Sequence, residues 1–447
     1  MGDAQGSLRQ RLRGLLRQSR RPSAEQIRRP AGDVVVPAPL VQQNFWCLDQ
    51  FAPGQGLANV NRAWQIEGAF QPEACHSALQ RLTSKYDCLR CSLFEQGDEL
   101  QMIVKEHQEP DFTLVDLRQN ETELAARMAA ESQRPFADGV GPLLRLRAYR
   151  LADQRWLLHL VYHHAILDGW SLTQFCQELG QLYAQDAEAD LVPQRPAYDF
   201  ADHAKAAGQV GKTPTARSAS QSGLQLPYDY APPAVPCYQC KSTPVTINAA
   251  SRAAVESLAA ELSLSPGAVL LAALRLALFR ISGQRDFCLA NTMMNRNAPG
   301  LHSMLGAFVQ SLPICTALPR GISFAQLCQG EQVSLTEALI GAEDRNQDQP
   351  PAEVPCNVLL NYRGFATGTL ALAGCEVSPY AQASSASPFA LVLNLENTAT
   401  GYRGELLWQA ARFEAGTCGR IVAQILASLA AGLKAPNAAI DEDVAEI

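Results

Sequence analysis

No stretch of this 447-residue chain runs to the ~20 consecutive apolar residues that cross a bilayer, so the sequence is expected to be soluble and to have no membrane partner. A basic surplus is also missing. The formal net charge is -7, which argues against a nucleic-acid partner. No internal repeat is visible, and neither a G-x-S-x-G elbow nor an H-E-x-x-H helix occurs, so the corresponding solenoid, serine-hydrolase and zinc-protease arrangements are excluded. What is present is a globular composition, 47% hydrophobic and 18% charged, with too much chain for one comfortable core.

Cysteine is not scarce, but its pattern is weak. Thirteen is an odd number, and most sit among apolar neighbours. Cys88/Cys91 and Cys237/Cys240 have the C-x-x-C spacing of zinc ligands. The first pair lies in an apolar helix-to-strand pattern without metal-site glycines, and the second follows a Pro-rich linker. Reduced, largely buried thiols in a cytoplasmic protein are the expectation, and no metal.

The first thirty residues depart from the acidic balance, with eight arginines against Asp3 and Glu25. Leu8, Leu12, Leu15 and Leu16 recur at helical spacing. A solvated tail is the plainer reading of residues 1–30, and a docking helix for an acidic partner the sharper one. Composition leaves an organelle presequence open.

Beyond the tail the pattern is mixed α/β. "ANVNRAWQIEG" alternates as a strand, and "QPEACHSALQRLTSKYD" has helical spacing. "PLLRLRAYRL" and "RWLLHLVYH" form a hairpin signal, and "SLTQFCQELGQLYAQ" reads as a helix with Ser171 as N-cap. Small polar residues and then prolines fill 206–236, the best boundary in the chain. A second α/β half follows, including "SPGAVLLAALRLALFRIS" with Ser265 and Pro266 at a helix start. The expected division is a first subdomain over 37–205, a linker over 206–236, a second subdomain over 237–435 and a terminal linker over 436–447.

"LVYHHAILDGWS", residues 160–171, is the most informative stretch. On a strand, Trp156, Leu158, Leu160 and Tyr162 share one face, while Leu157, His159, Val161 and His163 share the other. His164 falls where the strand gives out. A lone histidine here is usually a hydrogen-bonded core residue. Asp168 four positions on, followed by Gly169, changes that balance, because a carboxylate in so apolar a setting needs a cation or several donors. A neutral imidazole can take a proton from, or orient, an amine or hydroxyl. Adjacent histidines on extended backbone point apart and chelate a metal poorly.

"HHAILDGWS" resembles the HHxxxDG motif of condensation domains from nonribosomal peptide synthetases, within the chloramphenicol-acetyltransferase-like superfamily. "QQNFWCLDQFAPG", "KYDCLRCSLF", "RPFADGVGPLLRLRAYRL", "LQLPYDYAPP", "GQRDFCLANTMMNRNAPGLHSMLGAFVQSLPI", "VLLNYRG" and "SPFALVLNLE" are similar to other family segments in the same order. The likeness covers about 37–435. It implies two chloramphenicol-acetyltransferase-like subdomains in a V-shaped pseudo-dimer, with the active site at their junction. Residue by residue, His164 would orient or deprotonate the acceptor amine, and His163 would support the loop. Asp168 would form a structural ion pair with Arg90 or Arg296, and Gly169 would offer a backbone N–H to the oxyanion. Trp170 and Asn361 would face a substrate channel.

The resemblance implies amide formation between two thioester-bound groups, with no bound cofactor. Phosphopantetheine arms of donor and acceptor peptidyl carrier proteins would deliver the substrates to a monomeric enzyme, and an upstream synthetase could dock on the basic segment. Asn44, Tyr86 and Gln310-Ser311 depart from the family pattern and put substrate preference in doubt. Both histidines are present, which disfavours cyclization relatives, and the added glycine-rich segments of epimerization domains are absent. Ester formation with an alcohol and a non-catalytic recruitment role are the alternatives. No adenylation or carrier domain is visible, and "AAIDEDVAEI" looks like a linker, so a freestanding enzyme and a piece of a larger synthetase are both open.

Overall fold

The computed structural model describes residues 32–97, 99–136, 139–185, 195–196, 198–207, 223–296, 300–343, 356–365, 369–380 and 385–440. The basic segment 1–30, residues 208–222 of the proposed linker and the last seven residues lie outside these. Three sheets carry the fold. A five-stranded sheet has the order Cys375–Pro379, Asn59–Gly68, Arg155–His163, Leu144–Ala152, Asp111–Asp116. Its central hairpin is the one the sequence signals, with Leu146 opposite Leu160 and Leu144 opposite Tyr162. Both faces of Arg155–His163 are packed, so it can be apolar on both. Trp156, Leu158, Leu160 and Tyr162 enter the large N-terminal core with the helices Pro72–Lys85 and Gly169–Tyr183. Leu157 enters a smaller cluster with Leu117, Leu124, Met128 and Tyr149. A three-stranded sheet of Val34–Pro37, Glu99–Val104 and Cys91–Gln96 stands beside it.

The second half is built on a seven-stranded sheet that includes Asp286–Met293, Val358–Arg363 and Leu391–Thr398. Over it lies the helix Pro266–Ser282, buried at every position from Ala268 to Phe279, as its all-round apolar sequence requires. Ser265 caps it by accepting from the Ala268 N–H. The helix Ala415–Lys434 is long and apolar enough by composition to cross a membrane, which the run-length reading did not register. Here Cys418, Ile421, Val422, Ile425 and Leu429 turn its apolar side into the core.

Two features differ from expectation. Cys288 and Cys315 face each other across antiparallel strands and are disulfide-bonded, with Cα atoms 4.2 Å apart, whereas the sequence pattern predicts reduced thiols throughout. Pairing across a sheet leaves no trace in linear spacing. The other eleven cysteines are free, both C-x-x-C pairs among them. Secondly, the halves interlock. Cys375–Pro379, from late in the chain, pairs antiparallel with Asn59–Gly68 in the first sheet. The approach to that strand runs over Gly180, where a Cβ would lie 2.2 Å from the Ala371 carbonyl oxygen. Only glycine fits this contact.

Candidate active site

The strand Arg155–His163 ends in the paired histidines, and the helix Gly169–Tyr183 begins five residues later. The helix starts at Gly169 because Asp168 is extended (φ -103°, ψ 179°) and caps it, its carboxylate accepting from the Ser171 N–H at 2.8 Å. The sequence reading places the cap on Ser171; the aspartate three residues earlier takes that place, and Ser171 sits inside the first turn. Gly169 itself has ordinary helical backbone and needs no tight turn.

His163 is buried and serves the loop. Its Nδ1 accepts from the Ala165 N–H at 3.1 Å, so Nε2 carries the proton and donates to Asp49 Oδ2 at 3.1 Å. Asp49 comes from the helix Leu40–Phe51, and so does Phe45, one turn earlier. Phe45 stacks on the His164 ring, with centroids 4.2 Å apart and planes 7° from parallel. A third residue of that helix, Gln42, donates to the carbonyls of Ala165 and Ala307 at 3.1 and 3.0 Å, tying the loop to the second half.

His164 is half-buried, and its backbone N–H donates to Ala58 O at 2.7 Å. Burial lowers its pKa to about 4; His163 and Arg363 push the same way, while its own carbonyl and Asp168 oppose them. The imidazole is therefore unprotonated at neutral pH. It can accept a hydrogen bond from an amine or alcohol, and its weak basicity suits orientation better than proton storage.

Of the two arginines considered for Asp168, Arg296 is the one beside it. Its Nη2 lies 2.9 and 3.0 Å from the two carboxylate oxygens, with both residues buried. The same nitrogen donates to Ser171 Oγ at 2.6 Å and to Gly306 O at 3.1 Å, and Nη1 donates to the carbonyls of Leu301 and Met304. The Phe308 N–H completes the aspartate's partners at 3.1 Å. Burial lowers the Arg296 pKa, and Asp168 opposes that shift. Arg90 is spent elsewhere: it pairs with Asp87 at 2.7 Å and donates to the carbonyls of Thr83, Ser84, Tyr86 and Lys105. It closes the turn after the helix Pro72–Lys85, and three-residue spacing makes Asp87 its natural partner.

Trp170 reaches the second half of the chain, whereas Asn361 pairs within its own sheet. The Trp170 indole donates to His302 O at 2.8 Å and packs edge-on against Phe365. Asn361 donates to Asn394 Oδ1 at 2.8 Å, across paired strands. A cavity of about 100 Å³ lined by Met293, Arg296, His302 and Leu339, among others, opens beside the Asp168–Arg296 pair. Sequence reasoning missed Phe45, Asp49, Gln42, Arg62 and Arg363. Arg62 had a signal: it takes an inward slot between Val60 and Trp64 on an alternating strand.

A family model for the condensation domain matches residues 34–445. Phosphinothricin tripeptide synthetase PhsC of Streptomyces viridochromogenes is 31% identical over 69% of this chain and 30% of its own length. A linear gramicidin synthase of Brevibacillus parabrevis is 30% identical over 66% of this chain and 4% of its own. The chain thus spans under a third of these relatives. Among solved structures, the X-domain from teicoplanin biosynthesis superposes with a TM-score of 0.78 at 19% identity, covering 95% of this chain and 100% of that one. The first condensation domain of the calcium-dependent antibiotic synthetase, solved with a substrate analogue, gives 0.71 at 17% identity over 92% and 100%.

Proposed function

Because the chain belongs to the condensation-domain family of nonribosomal peptide synthetases, we propose that it forms an amide between a donor acyl, aminoacyl or peptidyl thioester and the amine of an acceptor. Both reactants arrive on the phosphopantetheine arms of carrier proteins, entering the junction between the halves. The observation that carries this reading is a neutral, half-buried His164 on a loop braced from behind by Asp168 and Arg296. The acceptor amine donates to the imidazole, which aims its lone pair at the thioester carbon. The new C–N bond leaves negative charge on the carbonyl oxygen. That charge meets the start of the helix Gly169–Tyr183, where the N–H groups of Gly169 and Trp170 have no intrahelical acceptor. Collapse breaks the C–S bond; the thiolate leaves, and the amine's proton neutralises it.

Aminolysis of a thioester is downhill, so proximity and orientation supply much of the rate. A site with one polar side chain at the reacting atoms is enough. The test is intact-mass detection of product on an acceptor carrier mixed with a loaded donor carrier. His164→Ala is expected to cut product formation by about 10²–10⁴-fold, the range for a positioned acid–base group. Turnover unchanged by that substitution overturns the proposal, and an alcohol acceptor outcompeting the amine replaces amide with ester formation.

A further inference from the structure

Arg62 and Arg363 are two cations at the junction that the proposed amide-forming step does not use. Arg62 takes an inward position on the strand Asn59–Gly68, on the same face as Trp64 and Ile66 of the N-terminal core. Arg363 ends the strand Val358–Arg363 in the other half. It follows Leu359 and Asn361 on the sheet face opposite the core residues Val358 and Leu360. Its side chain reaches across to the loop, with Cδ and Nε each 3.8 Å from where a Cβ on Gly169 would lie. Arg62 and burial both act to discharge Arg363, Tyr162 feels the field of both arginines, and His164 feels Arg363. Val60, the cross-strand partner of Tyr162, lies two positions from Arg62 on the same face, and Arg363 reaches the Gly169 loop, so the two arginines approach the junction from either half.

Among the described residues neither arginine forms an ion pair. The Arg62 Nη1 turns to its own neighbour's carbonyl, Asn61 O, at 2.8 Å. Glu396 and Glu405 offset only part of the Arg363 charge. Two like charges in one partly buried neighbourhood repel each other, and an anion placed between them relieves both. The phosphate of a pantetheine arm stays at the carrier end, far from the thioester, so that group is the wrong candidate beside His164.

We propose that Arg62 and Arg363 read a carboxylate on one of the two substrates, so that the donor or the acceptor carries negative charge close to its reacting group. The inference rests on the amide-forming reading for what occupies the junction. Its test does not depend on turnover. Binding to the full chain is measured for two matched pairs of N-acetylcysteamine thioesters: aspartyl against asparaginyl as acceptor, and succinyl against its methyl ester as donor. One carboxylate-bearing member is expected to bind at least about tenfold more tightly than its neutral partner, with the preference fading as salt rises. Which pair shows it identifies the substrate. Arg363→Met and Arg62→Met should each bring that ratio toward one, and Arg363→Lys should retain part of it. Equal binding within both pairs overturns the proposal, as does a preference that survives both methionine variants. A preference without any amide product leaves this inference standing and removes the condensation activity instead. Loss of turnover on neutral and charged substrates alike in Arg363→Met, with no charge preference in the parent, assigns the arginine to the carbonyl oxygen and overturns the substrate reading.

Discussion

Asp168 and Arg296 are 128 residues apart in sequence and 2.9 Å apart in space, and their pairing joins the loop after the paired histidines to the second half of the molecule. Neither charge reaches solvent, so each depends on the other and on the Ser171, Gly306 and Phe308 groups around them. A buried pair is weak evidence for net stability, because desolvation offsets much of the attraction, but breaking one side strands the other charge. Arg296→Met is therefore expected to destabilise the fold by about 3–5 kcal/mol in urea titration. Asp168→Asn combined with Arg296→Met should cost less than the sum of the single changes. Strict additivity would show that the two charges act independently.

The interlocking of the halves makes a second, purely steric prediction. Gly180 lies under the carbonyl of Ala371, on the approach to the strand that crosses into the first sheet. Gly180→Ala must push that backbone away, for an expected loss of about 1–3 kcal/mol despite alanine's better helix propensity. Limited proteolysis should then cut near 371–375 faster than in the parent. Gly169→Ala is the control on the same helix, since its Cβ would meet only the Arg363 side chain at ordinary contact distance. A Gly180→Ala protein as stable and as protected as the parent would contradict the placement of Ala371.

Much of this architecture is written in local patterns. Alternation in "RWLLHLVYH" assigns Leu158 and Leu160 to the main core and Leu157 to the other face, and both packings occur. The cap and proline at Ser265-Pro266 mark a helix start that the structure keeps. What sequence could not carry is pairing at a distance. Arg90 and Arg296 are equivalent candidates on paper; the choice between them is made by where residues 301–308 fold back. The same holds for Cys288 with Cys315 and for Phe45 under His164, each joining residues with no common spacing.

Acidification should expose three histidines together. Burial lowers the pKa values of His159, His164 and His203 to about 4 each. Their unfolded values lie near 6.5, so between pH 6.5 and 4 the unfolded chain binds protons that the folded chain refuses. Stability contributed by these groups is full above pH 6.5 and is lost as pH falls toward 4. Urea midpoints are expected to drop steadily across that window, with the activity attributed to His164 falling only near its lower end. A stability plateau from pH 7 down to pH 4 would contradict the burial of these rings.

His159 separates that effect from catalysis. Its ring is fully buried near Tyr149, with centroids 6.4 Å apart, and neither nitrogen has a hydrogen-bond partner among the described residues. A buried polar atom without a partner costs about 1–3 kcal/mol. His159→Leu keeps most of the volume, removes that cost and removes one proton-binding group from the unfolded chain. The variant should be more stable than the parent at pH 7 by about 1 kcal/mol, a figure that allows for imperfect repacking. Because the parent loses ground on acidification, the gap should widen at pH 5. Amide formation should be retained, since His159 faces the smaller cluster while His164 lies at the strand's end. A variant less stable at both pH values would mean that the ring has polar partners the described residues do not supply.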